Sequence, residues 1–278
     1  RDRGGGTSKP RLSPIEHKQA ISCSASRARR TMRLTRAAVA ATSLGAAAAL
    51  PRVLCCHGGG TNEAIMRVQT AKLRRTLKSE AEFVFVEGAL EQTYIDPAVA
   101  ARFDGPFLSW YDVEHDAYEG TREPAAYLRA LMDESVTVRY PHAEEAMTRL
   151  EEAVERHRPD TLLGFSQGAI LITLLTAAHL AAGRPPSWSH NVLVCGMPVR
   201  ANAFAPLFSA PLDFPATVAQ GRDDPFYEWC RQLAGQYASA EYLEFPDGHR
   251  FPHGQADTDA LADSVRRGLP HGALVLTT

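Results

Sequence analysis

The sequence feature that most constrains the fold is residues 160–175, DTLLGFSQGAILITLL. A short apolar run is followed by an abrupt turn, GFSQG, and then by an apolar run long enough for a buried helix. G-x-S-x-G between a strand and a helix is the nucleophile elbow, a sharp turn that holds a serine hydroxyl, here of Ser166, clear of the backbone. A Cβ at Gly164 or Gly168 would crowd the elements that the turn brings close. The alternative is a chance glycine-rich turn before a core helix.

The position of Ser166 also has an electrostatic consequence. It precedes the predicted helix, where unpaired N–H groups and the helix dipole favour developing negative charge. An acid, a histidine and an oxyanion-binding loop in the required order along the chain would favour the catalytic interpretation over the chance turn.

Apolar runs alternate with helical patterns on both sides of the elbow. Residues 52–56 and 83–86 predict buried strands that flank a helix with Asn62 as its N-cap, and this is a βαβ unit with parallel strands. The apolar positions of that helix are Ile65, Met66, Val68 and Leu73. Further strands are predicted at 190–196, 215–221 and 241–245, and further helices at 122–134, 142–158, 225–237 and 256–268. We therefore expect an α/β fold with a doubly wound, mostly parallel sheet of about six strands.

Polar residues follow several predicted strands. Asp223 and Asp224 come after the strand 215–221, and His249 comes after the strand 241–245. In α/β-hydrolases the triad has the chain order Ser, Asp or Glu, His, and a histidine takes the serine proton while a carboxylate orients the histidine. Between the two aspartates we favour Asp224, because Pro225 biases it toward extended backbone, whereas Asp223 is suited to the turn.

An oxyanion formed on the substrate needs two N–H donors. One is the residue after the nucleophile, Gln167, and the other comes from an HGGG-type loop. His57-Gly58-Gly59-Gly60 is such a loop, and the second donor is placed at Gly59.

Each of these features has an alternative interpretation. His249 could be an exposed loop histidine, and the aspartate pair could be a turn and an N-cap. For His57 we favour a structural role, in which its ring bonds the loop backbone. The HGGG loop, Ser166, the aspartate pair and His249 nevertheless follow four predicted strands in the required order, and this combination favours a catalytic site.

Residues 89–118 lack periodicity and are rich in aromatic residues and turn formers. A segment of this kind inside a compact domain is usually functional. We favour a cap over a substrate pocket; the alternative is a surface loop with its own apolar cluster. The predicted substrate-binding residues are Phe103, Phe107, Trp110 and Tyr111, together with Phe226 and Phe251 near the acid and base loops.

The first fifty residues differ in composition from the rest. They hold ten basic and two acidic residues and no aromatic one, so the other 20 basic and 30 acidic residues give the remainder a net charge of −10. We expect residues 1–50 to be a basic extension, disordered or targeting, residues 51–270 to be the domain, and residues 271–278 to be a tail. Met32 could be the true start, with a signal-like stretch after it that is too weakly apolar to span a membrane.

The five cysteines are an odd number without metal-ligand spacing. Cys55, Cys56 and Cys195 lie in apolar strand-like runs, where a free cysteine acts as a small hydrophobe. A redox role for the adjacent Cys55 and Cys56 is the less favoured alternative, and a disulfide framework is not expected.

Several segments together resemble the FSH (family of serine hydrolases) group. They are HGGGTN, FVFVEGA, GPF with the following WY, YEG and LLGFSQGA, and the resemblance runs from about residue 51 to residue 269. It implies a compact α/β-hydrolase of about six strands that cleaves carboxylic esters or thioesters through Ser166, Asp224 and His249. It also implies a Gly-x-x-Asp pattern, which counted from Gly221 places the acid at Asp224.

The predicted activity is hydrolysis of esters or thioesters of apolar acyl groups, with a small-molecule acyl substrate and no metal or cofactor. One alternative is an enzyme like the acyl-protein or lysophospholipid thioesterases. The other is a non-catalytic ligand-binding module on a hydrolase scaffold. Neither a nucleic-acid partner nor an integral membrane segment is expected. The expected compartment is the cytoplasm, unless the basic N-terminus directs the chain to an organelle or to secretion.

Overall fold

The computed structural model describes residues 49–92, 95, 97–117 and 129–270. The N-terminal extension up to residue 48, most of the predicted helix 122–134, the YEG motif and the tail 271–278 lie outside the described residues. The interpretations given above for these parts stay predictions.

The described strands, in chain order, are β1 (Arg52–Cys56), β2 (Glu82–Val86), β3 (Leu90–Glu91), β4 (Leu108–Ser109), β5 (Glu114–His115), β6 (Val138–Arg139), β7 (Thr161–Phe165), β8 (His190–Val194), β9 (Ala216–Gly221) and β10 (Ala240–Phe245). The helices are α1 (Glu63–Gln69), α2 (Ala71–Thr76), α3 (Pro97–Ala100), α4 (Ala143–His157), α5 (Gln167–Ala181), α6 (Tyr227–Gly235) and α7 (Gln255–Arg267), with a 3₁₀ helix at Asn202–Phe208. Among the described residues, no helix has an apolar stretch long enough to cross a bilayer.

Six strands form one sheet in the order β10-β9-β8-β7-β1-β2, and every neighbouring pair is parallel. The four inner strands are almost wholly buried, whereas the edge strands β2 and β10 are mostly half-buried. The prediction of about six parallel strands is confirmed.

The sheet is covered on both faces. Alternate residues of β1 show this, because Val53 and Cys55 belong to one buried cluster and Leu54 and Cys56 to the other. The first cluster includes buried residues of α1, α2 and α7, and the second includes buried residues of α4, α5 and α6. Helices on both faces of a parallel sheet make this a doubly wound α/β domain, as predicted.

The helix predicted after β1 is two helices. Asn62 caps α1, since its side-chain oxygen accepts the N–H of Ile65 at 3.0 Å, and this part of the prediction is confirmed. Thr70 lies between the end of α1 and the start of α2, and its hydroxyl donates to the Met66 carbonyl at 2.7 Å. Of the four apolar positions of the predicted helix, Val68 does not belong to the buried face, because 60% of its surface is exposed. The buried face of α1 is centred on Met66. Val68 comes two residues later, which is a rotation of about 200° around the helix axis, so it lies on the opposite face.

The aromatic segment contains short pairings that the sequence pattern did not indicate. β3 pairs with β4 in the antiparallel sense, and Thr61 in the loop after β1 bridges to Leu108. This part of the segment is therefore tied directly to the loop after β1.

The strand order reverses between β1 and β7. In open α/β sheets the crevice at such a switch point, outside the carboxyl ends of the strands, is where ligands bind. The loops after β1 and β7 meet there, and the loops after β9 and β10 end at the same edge. The fold therefore brings the predicted site residues to one edge of the sheet.

Candidate active site

The elbow has the strained geometry that the motif predicts. Ser166 lies between β7 and α5 with φ 50° and ψ −116°, a conformation that few non-glycine residues adopt. A Cβ at Gly164 would lie 2.6 Å from the Ala169 nitrogen, and one at Gly168 would lie 2.4 Å from the Cys56 carbonyl oxygen. Both glycines are thus required by close approach of backbone, as predicted.

The acid and the base are hydrogen-bonded to each other. His249 Nδ1 lies 2.8 Å from Oδ2 of Asp224, and the backbone N–H of Phe226 donates to Oδ1 at 2.8 Å. The Asp224 side chain is fully buried, whereas Asp223 is exposed and its backbone N–H donates to the Asp247 carbonyl at 3.0 Å. Of the two adjacent aspartates, Asp224 is the one that reaches His249.

Burial by itself raises the pKa of Asp224. The hydrogen bond and charge of His249 and the hydrogen bond from the Phe226 amide outweigh it, with a smaller effect of the nearby Cys195 thiol, so this pKa lies below its ordinary value. The carboxylate is therefore ionised at neutral pH and acts only as an acceptor. His249 must then carry its proton on Nδ1, which leaves Nε2 free to accept another.

His249 lies against the residue that precedes the nucleophile. Its ring centroid is 5.0 Å from that of Phe165. A Cβ at Gly58 would lie 2.9 Å from the Phe165 ring and 3.4 Å from Cβ of Ser166, so the loop after β1 touches both residues of the elbow. Within the described part of the chain no hydrogen bond joins His249 to Ser166. In unliganded hydrolases such contacts are often long and tighten only when substrate binds.

The two predicted oxyanion donors are neighbours. A Cβ at Gly59 would lie 3.1 Å from Oε1 of Gln167. The Gln167 amide opens α5, and the first N–H groups of a helix have no acceptor within the helix. Gly59 thus approaches the side chain of the residue that follows Ser166.

Sequence reasoning missed a set of hydrogen bonds around this region. The Gln167 side chain accepts the N–H of Trp110 at 2.9 Å and donates to the Tyr111 carbonyl at 2.8 Å. The hydroxyl of Ser109 accepts the Gly60 N–H at 3.0 Å. The aromatic segment is thus hydrogen-bonded both to Gln167 and to the loop after β1. The sequence motif indicates a role only for the backbone of Gln167, and no local signal marks Ser109, because these bonds join parts distant in sequence.

His57 has the structural role that we favoured. It is fully buried, its Nδ1 lies 2.7 Å from the Gly58 carbonyl oxygen, and its Nε2 accepts the Gly88 N–H at 3.0 Å. Burial lowers the pKa of His57, so the ring is neutral and donates from Nδ1. Its ring stacks on Trp110 with centroids 5.1 Å apart.

Two of the six predicted substrate-binding residues are almost fully buried, with Trp110 2% and Tyr111 1% exposed. The Trp110 indole N–H donates to the His57 carbonyl at 2.8 Å. Trp110 also lines a cavity of about 390 Å³, whose other walls are Ala89, Leu90 and mostly polar and charged residues of α4 and its N-cap. Neither Ser166 nor His249 lines this cavity.

The other four predicted substrate-binding residues lie in different surroundings. Phe226 is half-buried with its ring 5.0 Å from that of His249, and Phe251 is buried and stacks on Phe165 at 5.5 Å. Phe103 and Phe107 are half-buried in the aromatic segment. Among these four residues, Phe226 is the one whose ring lies against the proposed base.

A six-stranded parallel sheet with helices on both faces and a serine at a strained strand-to-helix turn defines the α/β-hydrolase class. Within that class, the family model described as serine hydrolase (FSH1) matches residues 47–261, well over half of the chain. The chain belongs to this serine hydrolase family, as the sequence motifs predicted.

Curated relatives cover most of the chain. An esterase of Penicillium citrinum, mlcF, is 29% identical over 229 residues, which cover 77% of this chain and 87% of the relative. The dihydromonacolin L-[lovastatin nonaketide synthase] thioesterase of Aspergillus terreus is 26% identical over 243 residues, with 77% and 91% covered. Among solved structures, Arabidopsis thaliana SOBER1 superposes with a TM-score of 0.54 at 16% identity, covering 79% and 99% of the two chains, and this likeness supports the fold.

Proposed function

We propose that this protein hydrolyses esters or thioesters of apolar acyl groups through Ser166, His249 and Asp224 and an acyl-enzyme intermediate. The observation that carries the proposal is the pairing of a buried carboxylate with His249 at 2.8 Å, directly beside the serine elbow. A histidine oriented in this way, next to a serine at a helix N-terminus, is the arrangement that acyl transfer requires.

The reaction proceeds in two halves. Ser166 Oγ attacks the substrate carbonyl carbon while Nε2 of His249 takes the hydroxyl proton, and the Gly59 and Gln167 amides donate to the resulting oxyanion. The carbon–oxygen or carbon–sulfur bond to the leaving group then breaks, and the imidazolium returns its proton to that group. Water, deprotonated by His249, attacks the acyl-enzyme in the second half and releases the carboxylic acid and the free serine. Asp224 holds the ring and stabilises the imidazolium formed in each half.

Esters and thioesters are both proposed as substrates. The curated relatives are named as esterases and as a thioesterase, and the two substrate classes share the same acyl-enzyme chemistry. The Phe226 ring beside His249 favours an apolar acyl chain. Trp110, on the aromatic segment, is the proposed acyl contact.

Covalent labelling tests the proposal. A fluorophosphonate should label the folded protein at Ser166, and Ser166→Ala should abolish labelling and turnover of p-nitrophenyl esters and acyl-CoAs while the melting temperature stays close to that of the wild type. Ser264→Ala is the matched control, because this serine is equally buried but lies on α7 and bonds Glu241 at the amino end of β10, and it should keep labelling and turnover. If folded wild-type protein does not react, or if labelling survives Ser166→Ala, the proposal is wrong.

A further inference from the structure

Cys195 lies between the elbow and the acid loop. It follows the last residue of β8, Val194, whose carbonyl accepts the Ser166 N–H at 2.9 Å. The backbone N–H of Cys195 donates to the Ala219 carbonyl of β9 at 2.8 Å. The residue therefore sits at the end of the strand that joins the nucleophile's strand to the acid's strand.

The backbone of Cys195 is in a region that favours glycine. Its φ is 51°, a value that glycine adopts easily, yet this residue is a cysteine and the glycine of the turn is the next residue, Gly196. Gly196 is there for space, because a Cβ would lie 2.7 Å from Cβ of Ala169 and 2.8 Å from Leu233. Position 195 thus carries a side chain although its backbone conformation favours glycine. Backbone strain of this kind concentrates at functional sites.

The thiol of Cys195 contacts both sides of the acid–base pair. It is fully buried, and its Sγ lies 3.5 Å from the carbonyl oxygen of Arg250, the residue that follows His249. Sγ, an Asp224 carboxylate oxygen and a His249 ring nitrogen all lie within 4.8 Å of one another. Burial raises the pKa of the Cys195 thiol, so the group is a neutral S–H that can donate.

We propose that Cys195 is a positioning residue, whose S–H holds the base loop through the Arg250 carbonyl and whose sulfur packs beside the Asp224 carboxylate, so that His249 stays in register with the acid. The carboxylate itself is held by two donors, the imidazole and the Phe226 amide. The thiol fixes the position of the base loop relative to these two bonds. This inference rests on the proposed function, because it assigns Cys195 to the same site.

Three variants test this positioning role. Cys195→Ala removes donor and bulk, and kcat on a p-nitrophenyl ester should fall about tenfold with KM unchanged, as for loss of one hydrogen bond that positions the base loop. Cys195→Ser keeps a donor and should restore most of the rate. Cys230→Ala is the matched control, because this cysteine is equally buried on the neighbouring α6, and it should keep wild-type kcat.

A spectroscopic measurement separates this inference from the proposed activity. The proton between His249 Nδ1 and Asp224 gives a downfield ¹H resonance, which Cys195→Ala should shift, Cys195→Ser should largely restore and Cys230→Ala should leave in place. An unmoved resonance in Cys195→Ala, or equal loss of kcat in Cys230→Ala, overturns the positioning role. A shifted resonance in a protein that hydrolyses none of the esters supports the positioning role and rejects the proposed function.

Discussion

Replacing Asp224 by asparagine tests the proposed triad with almost no change of shape. The Asn Oδ1 atom can keep the Phe226 N–H that the carboxylate accepts at 2.8 Å. The amide NH₂ then faces Nδ1 of His249, where the carboxylate oxygen lies at 2.8 Å in the wild type. Two donors cannot face each other, so the ring takes the tautomer with its proton on Nε2 and can no longer accept the Ser166 proton.

The expected loss is large. The corresponding change in a serine protease lowers kcat about 10⁴-fold, equivalent to about 5 kcal/mol in the activation barrier. The effect on folding should be smaller and dependent on pH. Because the folded-state pKa of Asp224 is depressed, the ionised group stabilises the fold above the unfolded pKa of about 3.9, and this is lost as pH falls through the folded value. The variant should therefore lose some stability at pH 7, and its stability should fall less than that of the wild type in strong acid.

The assay combines steady-state kinetics on p-nitrophenyl esters with thermal unfolding at several pH values. Asp223→Asn is the matched control, since Asp223 is exposed and its contact to the Asp247 carbonyl is made by its backbone. It should keep kcat within about twofold, as expected of a surface substitution away from the mechanism. A folded Asp224→Asn protein that retains more than a tenth of the wild-type kcat would refute the reasoning.

Three further predictions concern the N-terminus, the acyl contact and the elbow. A chain starting at Pro51 should keep the melting temperature and the activity, since residues 1–50 lack core-forming side chains; a marked drop in either contradicts this. Trp110→Ala should reduce turnover of long acyl esters more than of acetate esters, and an equal loss on both with lower stability would indicate packing alone. Gly168→Ala should destabilise by about 3 kcal/mol in urea unfolding, because its Cβ would overlap the Cys56 carbonyl, whereas Gly235→Ala, whose Cβ meets open space, should not.

Much of this architecture was predictable because each element carries a local signal. Strands buried on both faces appear as continuous apolar runs, and this signal located all six strands of the sheet. The choice of Asp224 over Asp223 also came from a local signal, the following Pro225, and the structure has Asp224 bonded to the histidine.

The remaining features depend on contacts between distant parts of the chain. β3 and β4 have two residues each, too few for any period to show. The hydrogen bonds of the Gln167 side chain join α5 to the aromatic segment, and no residue near either partner in the sequence indicates that they form. Cys195 was predicted to be a small hydrophobe in the strand 190–196. The strand ends one residue before it, and the contacts of the thiol come from the loops after β9 and β10.

The order of strands in the sheet implies an order of assembly. β1 pairs with β7, which lies about a hundred residues later in the chain, and the base follows β10, the last strand described. Pairings so distant in sequence are slow, and a chain emerging from the ribosome makes them last. On the proposed assignment, a nascent chain completed only through α5 already holds the nucleophile and both oxyanion amides but neither acid nor base. The proposed site is therefore complete only after both β9 and β10, which are followed by the acid and the base, have joined the sheet.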